Sequence, residues 1–248
     1  MNIITVTLNP AYDIHCTVTD FVPFAENYAD AVSRSCGGKG INISKMLNEL
    51  SVSNEACIVL GRENAAYFEE YLKNYRCKKF YTNGAIRENI TVHSPGKKET
   101  RISADSFSVS PKLFSEVSDY ILSRSGSGAI VAFSGRLPRG VEKNAVLKFF
   151  ERLQNSGALL SLDSNSFSAE ELIRLKPWFI KPNEQELASL RRISSPEDEL
   201  RCAEMLHRSG ISNVMLSLGE RGCVFSGGGK LLRIEVPQVS VKSTIGAG

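Results

Sequence analysis

The sequence predicts an α/β fold: a mostly parallel sheet flanked by helices, with a small β lid. Compact apolar runs without proline alternate with stretches in which apolar residues recur every three or four positions. Strands and helices that alternate at intervals of about 25 to 40 residues are typical of βαβ units and a parallel sheet. The pattern shows no internal repeat or long linker, so we expect residues 1–248 to form one domain.

The expected elements follow one another along the chain. Strands are predicted at Ile3–Leu8, Ala56–Leu60, Ala129–Phe133, Ala158–Leu162 and Val214–Leu218, with a final strand at Val236–Val239. Helices are predicted at Ile41–Leu50, Tyr67–Leu72, Leu113–Leu122, Val146–Leu153 and Leu200–Leu206. Ser110-Pro111 and Ser195-Pro196 each combine a capping serine with a proline at the first helical position, so helices should begin there.

Two segments, residues 12–35 and 85–104, depart from this alternation because polar and apolar residues alternate within them. In the second, Ile86–His93 and Glu99–Ser103 flank a Ser-Pro-Gly-Lys turn, which predicts a β-hairpin. The hairpin is either a surface decoration or part of a lid. A lid would cover a pocket at the carboxyl ends of the strands, where open α/β sheets bind ligands.

The composition is that of an ordinary globular protein, with 42% hydrophobic and 23% charged residues. A net charge of +3 indicates neither nucleic acid nor a membrane as partner, but it allows a basic pocket for a phosphorylated small molecule. The N-terminus lacks a signal-peptide pattern, and no apolar run approaches the roughly 20 residues of a membrane span. Six scattered cysteines favour reduced thiols in a cytoplasmic protein, without a zinc site.

The most informative motif is Cys36–Lys45, in which three glycines and Lys39 precede an amphipathic helix. Glycine lets the backbone approach a ligand closely, and a helix N-terminus offers unpaired N–H groups to an anion. The spacing differs from that of a Walker A loop. The motif is therefore either a phosphate or sugar contact, or a tight strand-to-helix turn with a solvated lysine.

Two further motifs each have two interpretations. Ser243–Gly248 is glycine-rich, and a helix after it would form an anion hole for a transferred phosphoryl group; the alternative is a flexible tail. Asn183 and Glu186 lie three residues apart at the start of a helical pattern, where their oxygens suit Mg²⁺. The alternative is a capping box, in which Asn183 caps the helix and Glu186 is its partner.

Four polar residues matter through their combination. Asp13 follows Asn9-Pro10 and is able to bind sugar hydroxyls, while Arg87 and Asn89 alternate on one face of the expected lid strand. Arg136 lies in a turn after a buried strand, and its guanidinium can bind a phosphate bidentately. Each residue alone is more often an ordinary turn or surface residue.

Together and in this order, the motifs resemble the ribokinase-like (PfkB) sugar kinases, in the branch that contains 1-phosphofructokinase and tagatose-6-phosphate kinase. The matching segments are spread over the whole chain. They are Thr7–Asp13, Gly37–Asn42, Arg87–Asn89, Ser134–Gly140, Leu162–Ser164, Lys181–Asn183 with Glu186, Ser217–Gly222 and Ser243–Gly248.

The resemblance implies a ribokinase-like fold and ATP-dependent phosphorylation of a ketohexose phosphate. Fructose 1-phosphate, converted to fructose 1,6-bisphosphate, is the first expectation, with tagatose 6-phosphate or fructose 6-phosphate as alternatives. The resemblance also implies a sugar-phosphate site made of Asp13, Gly37, Gly38, Lys39, Asn42, Arg87, Asn89 and Arg136. It implies an ATP site made of Lys181, Asn183, Glu186, Ser217, Gly219 and Gly222, with Mg²⁺ held through water by Asn183 and Glu186.

The resemblance also carries expectations about assembly and about the terminus. Lid strands in this branch often mediate dimerisation, so a homodimer through the lid is expected. Gly246, Ala247 and Gly248 would form the anion hole, and in the family an aspartate follows as general base, before further helices. We therefore expect either a fragment of a longer kinase without its C-terminal helices, or an inactive sugar-phosphate-binding remnant. Loss of the base should lower the rate about 10²–10⁴-fold.

Overall fold

The computed structural model describes residues 2–96, 99–187 and 195–237. The strands, in chain order, are β1 (Ile3–Thr7), β2 (Ala11–Thr17), β3 (Ala31–Gly37), β4 (Glu55–Gly61), β5 (Cys77–Thr82), β6 (Arg87–His93), β7 (Thr100–Ser103), β8 (Ile130–Ser134), β9 (Leu159–Asp163), β10 (Phe179–Ile180), β11 (Asn213–Ser217), β12 (Cys223–Gly227) and β13 (Lys230–Ile234). The helices are α1 (Lys39–Glu49), α2 (Ala66–Tyr71), α3 (Pro111–Arg124), α4 (Lys143–Asn155), α5 (Ala169–Leu175), α6 (Glu184–Leu187) and α7 (Pro196–Arg208).

The larger of two sheets has the strand order β13-β12-β11-β10-β9-β8-β1-β4-β5. Neighbouring strands from β11 to β5 pair in parallel, whereas β12 and β13 extend one edge in antiparallel pairing. The predicted α/β class, with a mostly parallel sheet flanked by helices, is confirmed. Because parallel strands all point the same way, the carboxyl ends of β1, β8, β9, β10 and β11 lie along one edge.

The interior strands are buried because helices pack on both faces of the large sheet. Every residue of β1 and β4 is buried. Phe133 of β8 packs almost perpendicularly on Phe150 of α4, with ring centroids 4.9 Å apart. Burying side chains of this size contributes about 1.5–3 kcal/mol each, so this layer supplies much of the driving force for folding.

The predicted interior elements overlap observed ones, and both predicted serine caps are confirmed. Ser110 and Ser195 accept hydrogen bonds from the backbone N–H groups of Leu113 and Asp198, at 3.2 and 3.1 Å. The predicted final strand is wrong at its start, because β13 ends at Ile234 and residues 236–237 lie outside any strand. Pairing with β12 sets the position of β13, and residues 238–239 lie outside the described ranges.

The smaller sheet, which we call the lid, has the order β3-β2-β6-β7 and lies within the two segments of alternating pattern. The predicted hairpin is confirmed, since β6 and β7 pair in antiparallel fashion. Only three residues separate β1 from β2, so the lid is attached at the carboxyl edge of the large sheet. The register places Asp13 beside Asn89 and Asn89 beside Ser103, on one face of the lid.

In the part of the chain that the structure describes, no helix is both long and apolar enough to span a bilayer.

Candidate functional site

The site is centred on Asp13, where the lid meets the large sheet. Oδ1 of Asp13 accepts hydrogen bonds from Nδ2 of Asn89 at 2.9 Å and from Nη2 of Arg101 at 3.1 Å. These bonds come from two neighbouring lid strands, and they hold the half-buried carboxylate in one orientation. A carboxylate fixed in this way can accept hydrogen bonds from hydroxyl groups of a ligand.

Two glycines let the backbone pass close to this carboxylate. A Cβ at Gly37 would lie 2.0 Å from Oδ2 of Asp13, so a side chain cannot be added without moving Asp13. Gly38 has a φ of +141°, and a Cβ there would lie 2.8 Å from Cγ2 of Thr7. Lys39 then begins α1, whose N-terminus has no side-chain cap. The glycine-rich motif therefore brings an uncapped helix N-terminus to the site, a geometry that suits an anion.

Several buried polar atoms near the junction of the lid and the large sheet have no hydrogen-bond partner among the described residues. Nε of Arg87 and Oδ1 of Asn89 have no hydrogen-bond partner among the described residues, and the same holds for Oγ1 of Thr7 and Oδ1 of Asn9. An unpaired buried polar group costs about 1–3 kcal/mol, so each requires an explanation. For Arg87 and Asn89, which both interact with Asp13, the missing partners are accounted for by a polar ligand that binds beside this carboxylate.

Arg87 is part of a group of cations. Burial lowers its pKa below the ordinary value, the nearby carboxylate of Asp13 raises it, and the positive charges of Arg101 and Arg136 lower it. Arg136 itself is exposed at the end of the turn that follows β8. Three guanidinium groups against the carboxylates of Asp13 and Asp105 leave an excess of positive charge near Arg87, which favours a phosphate-bearing ligand.

Lys39 and Lys181 share Asp163, which ends β9. Nζ of Lys39 lies 2.6 Å from Oδ1 of Asp163, and Nζ of Lys181 lies 3.6 Å from Oδ2. The structure therefore joins Lys39, expected on the sugar-phosphate side, to Lys181, expected on the ATP side. Asn42 is exposed on the first turn of α1, and its backbone N–H donates to the carbonyl of Gly38 at 2.9 Å.

Asn183 and Glu186 form the capping arrangement that was one of their two interpretations. The N–H of Asn183 donates to Oε2 of Glu186 at 2.9 Å, and the N–H of Glu186 donates to Oδ1 of Asn183 at 2.8 Å. Oε1 of Glu186 makes no hydrogen bond with the described residues. Glu186 lines a small pocket together with Asp163 and Lys181, and apolar residues such as Phe167 form part of the same lining.

Ser217 and the turn after it lie beside Asn183. The N–H and Oγ of Ser217 both donate to the carbonyl of Pro182, at 2.9 and 3.2 Å. Gly219 and Gly222 have φ values of +60° and +84° in the turn that follows. A Cβ at Gly222 would lie 2.0 Å from the carbonyl oxygen of Ile234, so only glycine fits there. Nucleotide-side residues predicted from separate motifs thus share one sheet edge.

Three predicted site residues lie outside the described ranges, and two residues at the site were not predicted to take part in it. Gly246, Ala247 and Gly248 lie outside the described residues, so their anion hole stays a prediction. Arg101 was not among the predicted site residues. It lies two positions before Ser103 on the predicted hairpin, so the two side chains share one face, and this alternation is the signal that could have identified it. Asp163 was predicted only as part of the segment Leu162–Ser164. Its position directly after a predicted buried strand nevertheless indicated the carboxyl edge of the sheet, where open α/β sheets bind ligands.

Across residues 2–96, 99–187 and 195–237, no three His, Cys, Asp or Glu side chains are grouped so that they could hold a metal ion.

Comparison with known proteins identifies the family. Residues 6–248 match the pfkB family of carbohydrate kinases. A 1-phosphofructokinase from Borreliella burgdorferi is 30% identical over 251 residues, which are 99% of this chain and 81% of that protein. A 1-phosphofructokinase from Haemophilus influenzae is 29% identical over 252 residues, which are 100% of this chain and 80% of that protein.

Other relatives agree with this match. A tagatose-6-phosphate kinase from Staphylococcus epidermidis is 28% identical over 253 residues, which are 99% of this chain and 81% of that protein. Among solved structures, phosphofructokinase-2 from Escherichia coli in complex with substrates and products superposes with a TM-score of 0.92 at 26% identity. The match covers 100% of this chain and 83% of that one. The chain therefore belongs to the pfkB family of carbohydrate kinases and is an ATP-dependent sugar kinase.

Proposed function

We propose that the protein transfers the γ-phosphoryl group of Mg–ATP to a free hydroxyl of a ketohexose phosphate. Fructose 1-phosphate is the first choice, and its product is fructose 1,6-bisphosphate. Relatives named 1-phosphofructokinase and a relative named tagatose-6-phosphate kinase support this substrate class. Tagatose 6-phosphate and fructose 6-phosphate are the alternative acceptors.

The buried Nε of Arg87, which has no hydrogen-bond partner in the part of the chain that the structure describes, is the observation that carries the proposal. A guanidinium of this kind gains its missing acceptor when a phosphate oxygen binds. Arg101 and Arg136 contribute positive charge at the same place. An acceptor without phosphate would leave this charge uncompensated, which favours a sugar phosphate over a free sugar or nucleoside.

Asp13 and Asn89 would bind the sugar itself. The carboxylate of Asp13 is already oriented by Asn89 and Arg101, so binding requires little rearrangement. Oδ1 of Asn89 is buried without a partner among the described residues and can accept a hydrogen bond from a sugar hydroxyl. Gly37, Gly38 and the first turn of α1 would bring backbone N–H groups close to the acceptor.

Lys181, Asn183, Glu186, Ser217, Gly219 and Gly222 would form the nucleotide side. The residues present fit a magnesium ion held through water, because Glu186 and Asp163 line the same pocket and carboxylate oxygens are ligands that Mg²⁺ accepts. Mg²⁺ usually keeps several waters and is held by few protein oxygens together with substrate phosphates. When bound, it would neutralise charge on the phosphates of ATP.

Phosphoryl transfer is mainly a matter of positioning and of stabilising charge. The lid residues would bind and orient the acceptor, and the lysines near Asp163 would compensate negative charge between acceptor and nucleotide. During transfer, the bond between the γ-phosphorus and its bridging oxygen breaks and ADP leaves, while the acceptor oxygen forms the new bond and gives its proton to a general base. The family resemblance gives Gly246 and Gly248 the role of binding the transferred group.

The experiment is calorimetric titration of the Arg87→Ala variant with fructose 1-phosphate and, separately, with Mg–ATP. Losing a charge-assisted contact should raise the Kd for fructose 1-phosphate about 10–100-fold, with the Kd for Mg–ATP changed less than about twofold. Arg152→Ala is the matched control, because Arg152 pairs with exposed Asp119 on the surface. Equal weakening of both ligands by Arg87→Ala would count against the assignment.

The same titration on the wild-type protein compares fructose 1-phosphate, tagatose 6-phosphate and fructose 6-phosphate. Tightest binding of fructose 1-phosphate supports the first choice, and tightest binding of either other ketose phosphate replaces it within the same class. Binding of none of the three would refute the proposed function.

We also propose that two copies of the chain associate through the lid face opposite Asp13. The register aligns Ile14, Ile90 and Ile102 across three strands of that face. Ile102 of β7 is 60% exposed, and Val32 of β3, at the opposite edge of the same lid face, is 63% exposed. An exposed apolar sheet face of this kind is typical of a protein interface.

A further inference from the structure

The turn that follows Ser217 has little support of its own. Residues 219–221 form a single 3₁₀ turn, which is closed by hydrogen bonds between Leu218 and Gly222 at 2.9 Å and between Gly222 and Gly219 at 3.1 Å. Gly219 and Glu220 are exposed. Glycine has more backbone freedom than any other residue, so a turn with two glycines needs contacts from outside to keep one conformation.

Arg221 supplies such contacts, and it reaches two different helices. Its Nη2 donates to Oε1 of Glu184 on α6 at 2.8 Å, and its Nη1 donates to Oε1 of Glu199 on α7. The hydrogen bonds to Glu184 and then to Glu199 raise the pKa of Arg221 above its ordinary value. A planar guanidinium can bind two carboxylates in fixed directions, which a lysine ammonium cannot do in the same way.

Glu199 is a fixed anchor for this contact. It is only 1% exposed, and its second oxygen accepts from Nη1 of Arg233 on β13 at 2.6 Å. Both oxygens of the buried carboxylate are therefore paired with cations, as a buried charge requires. Through Glu199, the position of Arg221 is tied to α7 and to the antiparallel edge of the sheet.

Glu184 ties the same guanidinium to the other nucleotide-side segment. It follows Asn183 directly and is the first residue of α6, next to the reciprocal hydrogen bonds between Asn183 and Glu186. A single side chain thus connects the turn at residues 219–222 with the segment that would hold Mg–ATP.

We propose that Arg221 is a positioning residue, which sets the geometry of the nucleotide site by joining the 219–222 turn to Glu184 and Glu199. This inference rests on the proposed function, in which Ser217, Gly219, Gly222, Asn183 and Glu186 face the nucleotide. Arg221 acts on the nucleotide through the backbone that it holds. Its loss should therefore weaken Mg–ATP and leave the acceptor side, which lies on the lid, unchanged.

The test uses Arg221→Lys and Glu184→Gln, with Arg233→Lys as the matched control. Arg233 binds the same buried carboxylate but has no contact with the turn in the described structure. Glu184→Gln removes only the charge of the half-exposed carboxylate that binds Arg221. The buried Glu199 therefore keeps its hydrogen-bond partner. Each variant is titrated with Mg–ATP and with fructose 1-phosphate, and its unfolding by urea is followed by fluorescence of Trp178.

We expect Arg221→Lys and Glu184→Gln to raise the Kd for Mg–ATP about tenfold, because small displacements of positioning groups have effects of this size. The Kd for fructose 1-phosphate should change less than about twofold. Arg233→Lys should lower the urea midpoint without changing the Kd for Mg–ATP. A double variant of Arg221→Lys and Glu184→Gln should bind Mg–ATP no more weakly than the worse single variant.

Three results would overturn the inference. They are an unchanged Kd for Mg–ATP in both test variants, equal weakening of both ligands, or an effect of Arg233→Lys on Mg–ATP as large as that of Arg221→Lys. These results would leave the proposed function intact, provided that the wild-type protein binds both ligands. Failure of the wild-type protein to bind Mg–ATP would refute the proposed function, and the inference with it.

Discussion

The carboxylate of Asp13 leaves no room for a side chain at Gly37, and this gives a sharp test of the acceptor site. In a Gly37→Ala variant the new Cβ would lie 2.0 Å from Oδ2 of Asp13. An ordinary van der Waals contact is about 3.5 Å, so the oxygen must move by roughly 1.5 Å. A displacement of this size breaks or lengthens the hydrogen bonds from Asn89 and Arg101, which are 2.9 and 3.1 Å long.

The magnitude follows from those bonds. A hydrogen bond to a charged group contributes about 1.5–3 kcal/mol, so returning the carboxylate to its binding position should cost at least one such bond. At about 1.4 kcal/mol for each factor of ten, the Kd for fructose 1-phosphate should rise roughly 10–100-fold. Calorimetry measures this change, and Gly126→Ala is the control, because a Cβ at Gly126 meets nothing within 4 Å.

The Asp13→Ala background tests the cause of the effect. Without the carboxylate the clash disappears, so Gly37→Ala should weaken binding no further in an Asp13→Ala protein. Full additivity of the two substitutions, or unchanged affinity in Gly37→Ala alone, would refute the reasoning.

Two other outcomes are expected. Burial, together with hydrogen bonds to Glu69 and Glu55, raises the pKa of Tyr81 and of Tyr120 to about 12. Because these folded-state values lie above the unfolded value of about 10, the stability that they contribute is complete below pH 10 and is lost as the pH rises towards 12. The free energy of unfolding by urea, measured between pH 9 and 11.5, should therefore fall as the pH rises. The fall should be less steep in Tyr120→Phe, and a free energy of unfolding that does not change with pH would contradict the prediction. For the lid interface, sedimentation of the wild-type chain should give twice the 27.2 kDa monomer mass, and Ile102→Asp should give the monomer. A monomeric wild-type chain would exclude the interface.

Within the parallel part of the fold, β1, β4 and β8 were predictable because nearly every residue in them is buried. A strand such as β4 is continuously apolar apart from Glu55 and Gly61 at its ends, so its sequence contrasts with the helices around it. The sequence did not reveal β5, β10, β12 or β13, and this contrast is weakest in β10 and β13. β10 has only two residues, too few to show a period, and every residue of β13 is exposed. Their places depend on pairing with neighbours, which a local pattern does not contain.

The site was predictable as a set of motifs and not as a set of contacts. Gly38 and Gly222 adopt positive φ, and glycine is the residue that does so without strain. Their structural role can therefore be inferred from the local sequence. The capping interpretation of Asn183 and Glu186 was likewise available from their spacing alone. No local pattern showed that Arg101 orients Asp13, because 88 positions separate them.

Local conformation and family membership were therefore contained in the order and spacing of residues along the chain. Glycines, caps and apolar periods act over a few residues, and their sequence of appearance matched one family throughout. Tertiary structure decided which polar groups meet. Lys39 and Asp163 are 124 positions apart and are joined at 2.6 Å only because parallel pairing aligns the carboxyl ends of β1, β8 and β9. A hydrogen bond requires its two atoms to approach within about 3 Å, and between distant residues that approach depends on register and packing.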